Sequence, residues 1–432
     1  MLLKFFEVIK TFDDQGSFNG GFVMLLRFIF IINFIFFLNS NNVFCQNLDW
    51  QAEDVHDPFV IQCKKHFYLF TTSNYINIKK SSDLFNWDDV GSVFKEIPKQ
   101  LEEHVPKGNV LCAPDVAFFN DRYHLYYGKT NYGSYQSAIA LATNKTLDVD
   151  DPDYKWIDKG IVVKSSEGGR FNAIDQNICF DQNNNVWMAW GSFGDGIRIT
   201  RINPKNGLPT GNEKIIAFRG QNAALEAASI HYKNGYYWLF VSFDFCCKGL
   251  DSNYKIMVGR SKSITGPYLD FNGKDMNNGG GTLVIQTHSK FIGTGHCSLF
   301  KKDNQEYMVH HYYDKDRNGR PSFSVRKVYW GSSFPVVGEP LKNEFEAKAN
   351  LGKVFHHVNY DKDGVNLFFQ NDNTVVGASD AKITYQINKN ALTITWKKNN
   401  QTFTDKCHLS DDGKSYVGRN QFGAIIRGIT ID

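Results

Sequence analysis

Apolar and polar positions repeat five times along the first 340 residues, each time as a polar turn followed by a run of aromatic and β-branched residues. The runs are KKHFYLFTTS ending at Ser73, NDRYHLYYGKT at Thr130, NNNVWMAWGSF at Phe193, KNGYYWLFVSFD at Asp244 and NQEYMVHHYYD at Asp314. Near-continuous apolar runs of this length suit strands buried on both faces. Helical periodicity is absent apart from a short candidate at Lys95 to His104. The runs begin about 50 to 70 residues apart, room for a four-stranded blade with long loops. The pattern predicts an all-β chain with a five-bladed β-propeller over about residues 46–340. Beyond it, residues 343–432 alternate apolar and polar in KITYQI, ALTITWKK, QTFTDKCHL, SYVGRN and AIIRGITI, separated by Asn and Gly turns. Period-two alternation between turn residues predicts a small C-terminal antiparallel β domain.

A second regularity points to chemistry. About 8 to 12 residues before each aromatic run stands a polar residue among apolar or small neighbours. These are Asp57 in VHDPFV, Asp115 in CAPDVAF, Asp175 in NAIDQNICF, Glu226 in ALEAASI and His296 in GTGHCSLF. If they hold equivalent places on the innermost strands, pseudo-rotation gathers all five around one axial cavity. Carboxylates crowded in a partly dry funnel repel one another and lose solvation, so their proton affinities separate. Acid/base cleavage of a glycosidic bond needs that separation. An Asp ahead of a strand is more often a turn or cap residue, and Asp115, in Ala-Pro-Asp, fits a structural role best.

Composition narrows the partners. A formal net charge of +3 and the lack of a long basic run show no pull toward nucleic acid. The 36 Phe, 20 Tyr and 8 Trp suit strands, and also clefts where rings stack on sugars. The stretch FVMLLRFIFIINFIFFL, Phe22 to Leu38, is short for a membrane span and carries Arg27. Read from Met24 it becomes a signal peptide, with cleavage near Cys45 and Gln46. Residues 1–45 are therefore expected to be an upstream extension and leader. The mature chain is expected to be secreted, without a stable membrane anchor, and monomeric. Seven cysteines follow Cys45, an odd, scattered set with no Cys-x-x-Cys pair. Adjacent Cys246 and Cys247 are either bridged or two buried thiols. Two sequons, at Asn144 and Asn400, agree with export.

Other chemistries lack their signatures. There is no Gly-x-Ser-x-Gly elbow, and GGGT at 279–282 lacks the Gly-Lys-Ser/Thr of a phosphate loop. His310 and His311 are adjacent on a strand, so they face opposite sides and make a poor metal pair, though one could line the funnel.

From about His56 to Pro335 the chain resembles glycoside hydrolase family 43, specifically its endo-arabinanases. The resemblance rests on HDPF at 56–59, APDV at 113–116, SAIALAT at 137–143, NAID at 172–175 and GSF at 191–193. Most specific is SFDFCCKGLDSNYKIMVGRSKSITGPY from Ser242 to Tyr268, followed by GGGT and by GTGH at 293–296. It implies a propeller enzyme that cleaves internal α-1,5-linked arabinofuranosyl bonds of arabinan with inversion. Asp57 would be the general base, Glu226 the general acid, and Asp175 the carboxylate that keeps Glu226 protonated and aimed. His296 would stand beside a central ion, often calcium, reached through water. Asp57, Gly133, Asn172, Ala173, Ile174, Asp175, Gly191, Ser192 and Phe193 would line the sugar subsite. The C-terminal segment resembles the β module that follows some arabinanase propellers. Two departures stand out. Cys112 replaces the family's tryptophan before Ala-Pro-Asp, and Ala228 replaces the proline after Glu226-Ala. An exo-acting arabinofuranosidase, a β-xylosidase on the same fold, and a non-catalytic glycan-binding propeller are the competing readings.

Overall fold

The computed structural model describes residues 54–331, 333–342, 351–377 and 380–431. The expected leader and the Met24 start lie outside the described residues. Twenty strands form five four-stranded antiparallel sheets, each built from consecutive strands. Blade one holds β1 (Phe59–Cys63), β2 (His66–Thr71), β3 (Asn77–Ser81) and β4 (Asp88–Ser92). Blade two holds β5 (Cys112–Phe119), β6 (Arg122–Thr130), β7 (Ser137–Asn144) and β8 (Ile157–Ser165). Blade three holds β9 (Asn177–Phe180), β10 (Val186–Trp190), β11 (Ile197–Arg201) and β12 (Lys214–Ala217). Blade four holds β13 (Leu225–Lys233), β14 (Tyr236–Phe243), β15 (Lys255–Ser261) and β16 (Thr282–Ile285). Blade five holds β17 (Phe291–Lys302), β18 (Gln305–Asp314), β19 (Arg320–Tyr329) and β20 (Val336–Pro340). The expected helix shortens to α1 (Lys99–His104), between blades one and two.

The aromatic runs are the second strands, and the turns before them follow from their residues. Asn120-Asp121 and Asn234-Gly235 both take positive φ at the two central positions, 49° with 58° and 51° with 78°. Hairpins of this twist need that conformation, and Asn, Asp and Gly adopt it at least cost. Each first strand packs against those of its neighbours, in the cycle β1, β5, β9, β13, β17 and back to β1. Apolar cores fill the spaces between successive blades. One joins Phe70 and Ile78 to Leu125 and Tyr127, and another closes the ring by joining Val60 and Leu69 to Phe300 and Val309. Asp54 strengthens the closure: its buried carboxylate takes Arg320, and Arg317 at 3.3 Å, both from blade five.

The C-terminal strands form a closed eight-stranded barrel, more specific than the expected β domain. They are β21 (Lys353–Val358), β22 (Gly364–Phe369), β23 (Thr374–Gly377), β24 (Lys382–Asn388), β25 (Ala391–Lys398), β26 (Gln401–Leu409), β27 (Ser415–Asn420) and β28 (Ile425–Thr430). Pairing of β21 with β28 closes it, and Val354, Leu367, Leu392, Ile394 and Ile426 fill the interior. The barrel packs on blades four and five. Arg427 reaches Glu339 with two bonds of 2.6 Å, and Arg419 donates to the Leu283 and Pro335 carbonyls at 2.7 and 2.8 Å. Of the two sequons, Asn144 is 2% exposed with its Oδ1 taken by the Lys155 N–H, so glycan attachment there conflicts with the fold; Asn400 is exposed in the β25–β26 turn.

Candidate active site

The backbone defines the equivalent positions and corrects the alignment expected from spacing. Each blade has a left-handed residue at or beside its polar position, in or just before the first strand: Asp57 (48°), Ala113 (50°), Asp175 (58°), Ala227 (58°) and His296 (46°), with Ser289 (49°) and Gly293 (56°) left-handed as well in blade five. In blades two, four and five the register slips there, between Cys112 and Asp115, Glu226 and Ser229, and Gly295 and Cys297. In blades one and three the residue lies two places before the strand. A bulge with one left-handed residue bends the strand and re-aims its side chain. Asp57, Asp175 and His296 therefore share a true equivalent place. Glu226 stands one residue before it and Asp115 two residues after.

That offset explains the separate fate of Asp115. Its carboxylate accepts the Asn177 side-chain N–H at 2.8 Å and the Ile178 N–H at 3.2 Å, and Asn177 accepts the Ile230 N–H at 2.8 Å. This chain ties blades two, three and four together. Burial pushes Asp115 up to about 7, against those hydrogen bonds.

The other four groups converge. Asp57 Oδ1 lies 2.8 Å from His56 Nδ1, 3.0 Å from His296 Nδ1 and 3.5 Å from His311 Nδ1, while Oδ2 accepts the Thr72 hydroxyl at 2.6 Å. Burial alone would raise its proton affinity; the electrostatic pull of His56 and His296 and the hydrogen bond to His296 outweigh it and hold Asp57 well below the usual carboxylate range. His296 shows the complement. Burial disfavours its charge, but Asp57 first, then Asp175 and Glu226, push it up to about 9. His311 accepts the Asp57 N–H at 3.2 Å through Nδ1, and burial and neighbouring His56 drive it down to about 3, so it stays neutral.

Glu226 and Asp175 lie within electrostatic reach of each other and of Asp57, and all three are under a tenth exposed. Glu226 Oε2 accepts the Ser192 hydroxyl at 2.6 Å and Oε1 the Tyr254 hydroxyl at 2.8 Å. Burial raises Glu226 against those two bonds, with repulsion from Asp57 adding to it. Asp175 grips the peptide joining Glu226 to Ala227, accepting the Ala227 N–H at 3.2 Å. Burial, then repulsion from Glu226 and Asp57, push it up to about 8 although His296 pulls down. One well thus holds a carboxylate kept ionised and a carboxyl pair that retains a proton.

The remaining expected residues divide. Ser192 touches Glu226, and Phe193 places its ring 6.2 Å from the half-exposed Phe245. Asn172 donates to the Ser192 carbonyl at 3.0 Å. Gly191 at φ 135° has no room for a side chain beside the Gly196 carbonyl. Gly133 (φ 80°) turns the loop that carries Tyr135 to Asn222. Ala173 and Ile174 are buried; Ile174 packs with Cys112 and Ala113, so the thiol that replaces tryptophan faces the interior. Tyr313, which the sequence did not single out, and the cysteine pair complete the wall. Tyr313 bonds His56 Nε2 at 2.8 Å, and Cys246 and Cys247 are bridged, with their sulfurs 3.9 Å from Glu226 Oε1 and 3.8 Å from His56 Nε2. Tyr254 lies inside the longest family-like motif, a signal that could have marked it, and of the two readings of the cysteine pair the structure has the bridge.

The donors fit a central calcium only in a limited way. Calcium takes six to eight oxygen ligands, and here His296 offers a single nitrogen, Nε2, because Nδ1 is on Asp57. Water would have to supply most of the shell.

A family model described as glycosyl hydrolases family 43 matches residues 51–333. An extracellular endo-α-(1→5)-L-arabinanase of Bacillus subtilis is 39% identical over 294 residues, 66% of this chain and 89% of that protein. An extracellular exo-α-(1→5)-L-arabinofuranosidase of Cellvibrio japonicus is 35% identical over 319 residues, 70% of this chain and 92% of that protein. In fold alone, the crystal structure of an endo-1,5-α-L-arabinanase from Thermotoga petrophila covers 89% of this chain and 99% of its own, with a TM-score of 0.74 at 23% identity.

Proposed function

The chain belongs to glycosyl hydrolases family 43, and from that premise we propose that it is an inverting endo-hydrolase of α-1,5-linked arabinan. The observation that carries the reading is the divided protonation of one axial well: Asp57 held ionised, Glu226 and Asp175 held toward the protonated state. Asp57 takes a proton from water on one face of the sugar. Glu226 gives its proton to the leaving glycosidic oxygen on the other. Inversion requires acid and base far enough apart to admit that water. Asp175, bound to the peptide after Glu226, fixes the acid's backbone and shares the pair's proton. Endo action follows the Bacillus relative, and the exo-acting Cellvibrio relative supports the competing reading. The extracellular designation of both supports secretion, as does the apolar stretch Phe22 to Leu38. A calcium beside His296 would add positive charge near the carboxylates.

Asp57→Asn and Glu226→Gln are each expected to lower kcat/KM on linear arabinan by about 10²–10⁴-fold, the usual worth of general acid or base catalysis, in protein of unchanged circular dichroism. Undiminished turnover in either variant removes the assigned role. Mixed oligosaccharides as first products support endo cutting; arabinose alone from the start establishes exo action. Removal and return of calcium should abolish and restore rate, and a metal-free protein of full activity excludes the ion.

A further inference from the structure

The Cys246–Cys247 bridge lies in the wall of the well, with one sulfur against Glu226 and the other against His56. Hydrogen bonding assigns the His56 tautomer. The ionised Asp57 carboxylate can only accept, so a ring hydrogen sits on Nδ1, 2.8 Å from Asp57 Oδ1, and in that tautomer the Tyr313 hydroxyl, which accepts the Cys247 N–H at 2.7 Å, donates to Nε2 at 2.8 Å. His56 Nε2 therefore carries the ring's lone pair, engaged by the Tyr313 hydroxyl and 3.8 Å from Cys247 Sγ, while a carboxylate holds the other nitrogen; an ion would take the place of that hydroxyl's hydrogen. Metal-binding imidazoles are oriented in this way.

We propose that reduction of the Cys246–Cys247 bridge opens a site for a thiophilic divalent cation such as Zn²⁺ or Cd²⁺, built from the two thiolates and His56 Nε2. One donor atom from each of the three residues lies within 4.8 Å of the others. A tetrahedral ion about 2.3 Å from sulfur and about 2.0 Å from nitrogen places those donors roughly 3.5 to 3.8 Å apart. Cys247 Sγ and His56 Nε2 already stand 3.8 Å apart. The fourth position is left for water or for Glu226, whose Oε1 is 3.9 Å from Cys246 Sγ. A phosphine gives two electrons to the sulfur–sulfur bond and leaves as its oxide with the oxygen of one water, whose two protons complete the thiols; a dithiol supplies both electrons and both protons and leaves as its cyclic disulfide. The ion then displaces both thiol protons to solvent. While the bridge is intact neither sulfur is a thiolate, and the site is closed. The five other cysteines among the described residues are buried single thiols, apart from this cluster.

An ion seated here touches the His56 ring that holds Asp57 and crowds Glu226. Loss of activity on binding is thus a second consequence, and that part rests on the proposed acid and base roles. The test uses the full chain, reduced with tris(carboxyethyl)phosphine, desalted without oxygen and titrated with Cd²⁺. Expected are one equivalent bound with a thiolate-to-cadmium charge-transfer band, no band in unreduced protein, and at least a tenfold loss of arabinan hydrolysis that a chelator reverses. Iodoacetamide treatment of the reduced wild type, and Cys247→Ser, should each abolish the band. No band despite two newly accessible thiols overturns the site, as does a band that survives alkylation. Two accessible thiols before reduction overturn the closed state. A full band with undiminished hydrolysis overturns the coupling to Glu226. Protein inactive on every arabinan sinks the functional reading, whereas the band still decides the metal site.

Discussion

Tyr254→Phe deletes one oxygen from the acid's surroundings and keeps the ring. That hydroxyl, on a side chain 1% exposed, donates to Glu226 Oε1 at 2.8 Å. A hydrogen bond to a charged group contributes about 1.5 to 3 kcal/mol, and each pH unit corresponds to about 1.4 kcal/mol. The bond favours ionised Glu226, so its loss makes the proton harder to remove. The alkaline limb of kcat/KM against pH should therefore move up by about one unit, or two at the upper end. Coupling to Asp175 means that the limb reports the pair rather than Glu226 alone, and the lower figure is the safer expectation. The acid limb reports Asp57, which Tyr254 does not touch, and should stay in place. Ser192→Ala removes the 2.6 Å bond to Oε2 and should act in the same direction. The assay is the pH profile of initial rates on linear arabinan, in variants whose urea unfolding shows them folded. An alkaline limb that stays fixed or moves down refutes the reasoning, since a hydroxyl that stabilised the protonated acid would give the opposite sign.

Other residues test separate parts of the structure. A Cβ on Gly295 would overlap the Tyr254 ring, so Gly295→Ala should destabilise the protein by about 1–3 kcal/mol and reproduce the Tyr254→Phe profile, both measured on one preparation. Asp115→Asn should change kcat/KM by less than about threefold while costing about 1–3 kcal/mol in urea unfolding; a hundredfold loss of rate would make Asp115 part of the chemistry. Its folded value of about 7 exceeds the unfolded value near 3.9, so the native state binds that proton more tightly and stability falls as pH rises from about 4 to 7; the variant should lack this slope. Glu339→Gln leaves Arg427, its side chain 4% exposed, without its carboxylate and should cost about 3 kcal/mol by thermal or urea unfolding, with catalysis in the remaining folded protein unchanged.

How much of this was legible in the sequence depended on the range of the interaction involved. Turn chemistry is local: Asn-Asp at 120 and Asn-Gly at 234 announce their hairpins, and the aromatic runs are the second strands they lead into. Barrel closure is not local, because β21 must find β28 about seventy residues later and nothing in either strand's alternation names its partner. The well falls between these limits. Spacing before each aromatic run brought Asp57, Asp175, Glu226 and His296 into one list, but a window of several residues could not resolve a one-residue offset. The left-handed residue beside each polar position resolves it. At that position Asp57 and Asp175 carry their own carboxylates, whereas in blade four it falls to Ala227. Glu226 reaches the well from the preceding residue, where the Ala227 N–H is held by Asp175. A residue displaced by one from its repeat needs side-chain supports of its own, and Ser192 and Tyr254 provide them. The same offset separates base from acid: Asp57, on the shared position, is surrounded by imidazoles that keep it charged, while Glu226, off it, is raised by burial and by repulsion from Asp57 against the two hydroxyls that donate to it.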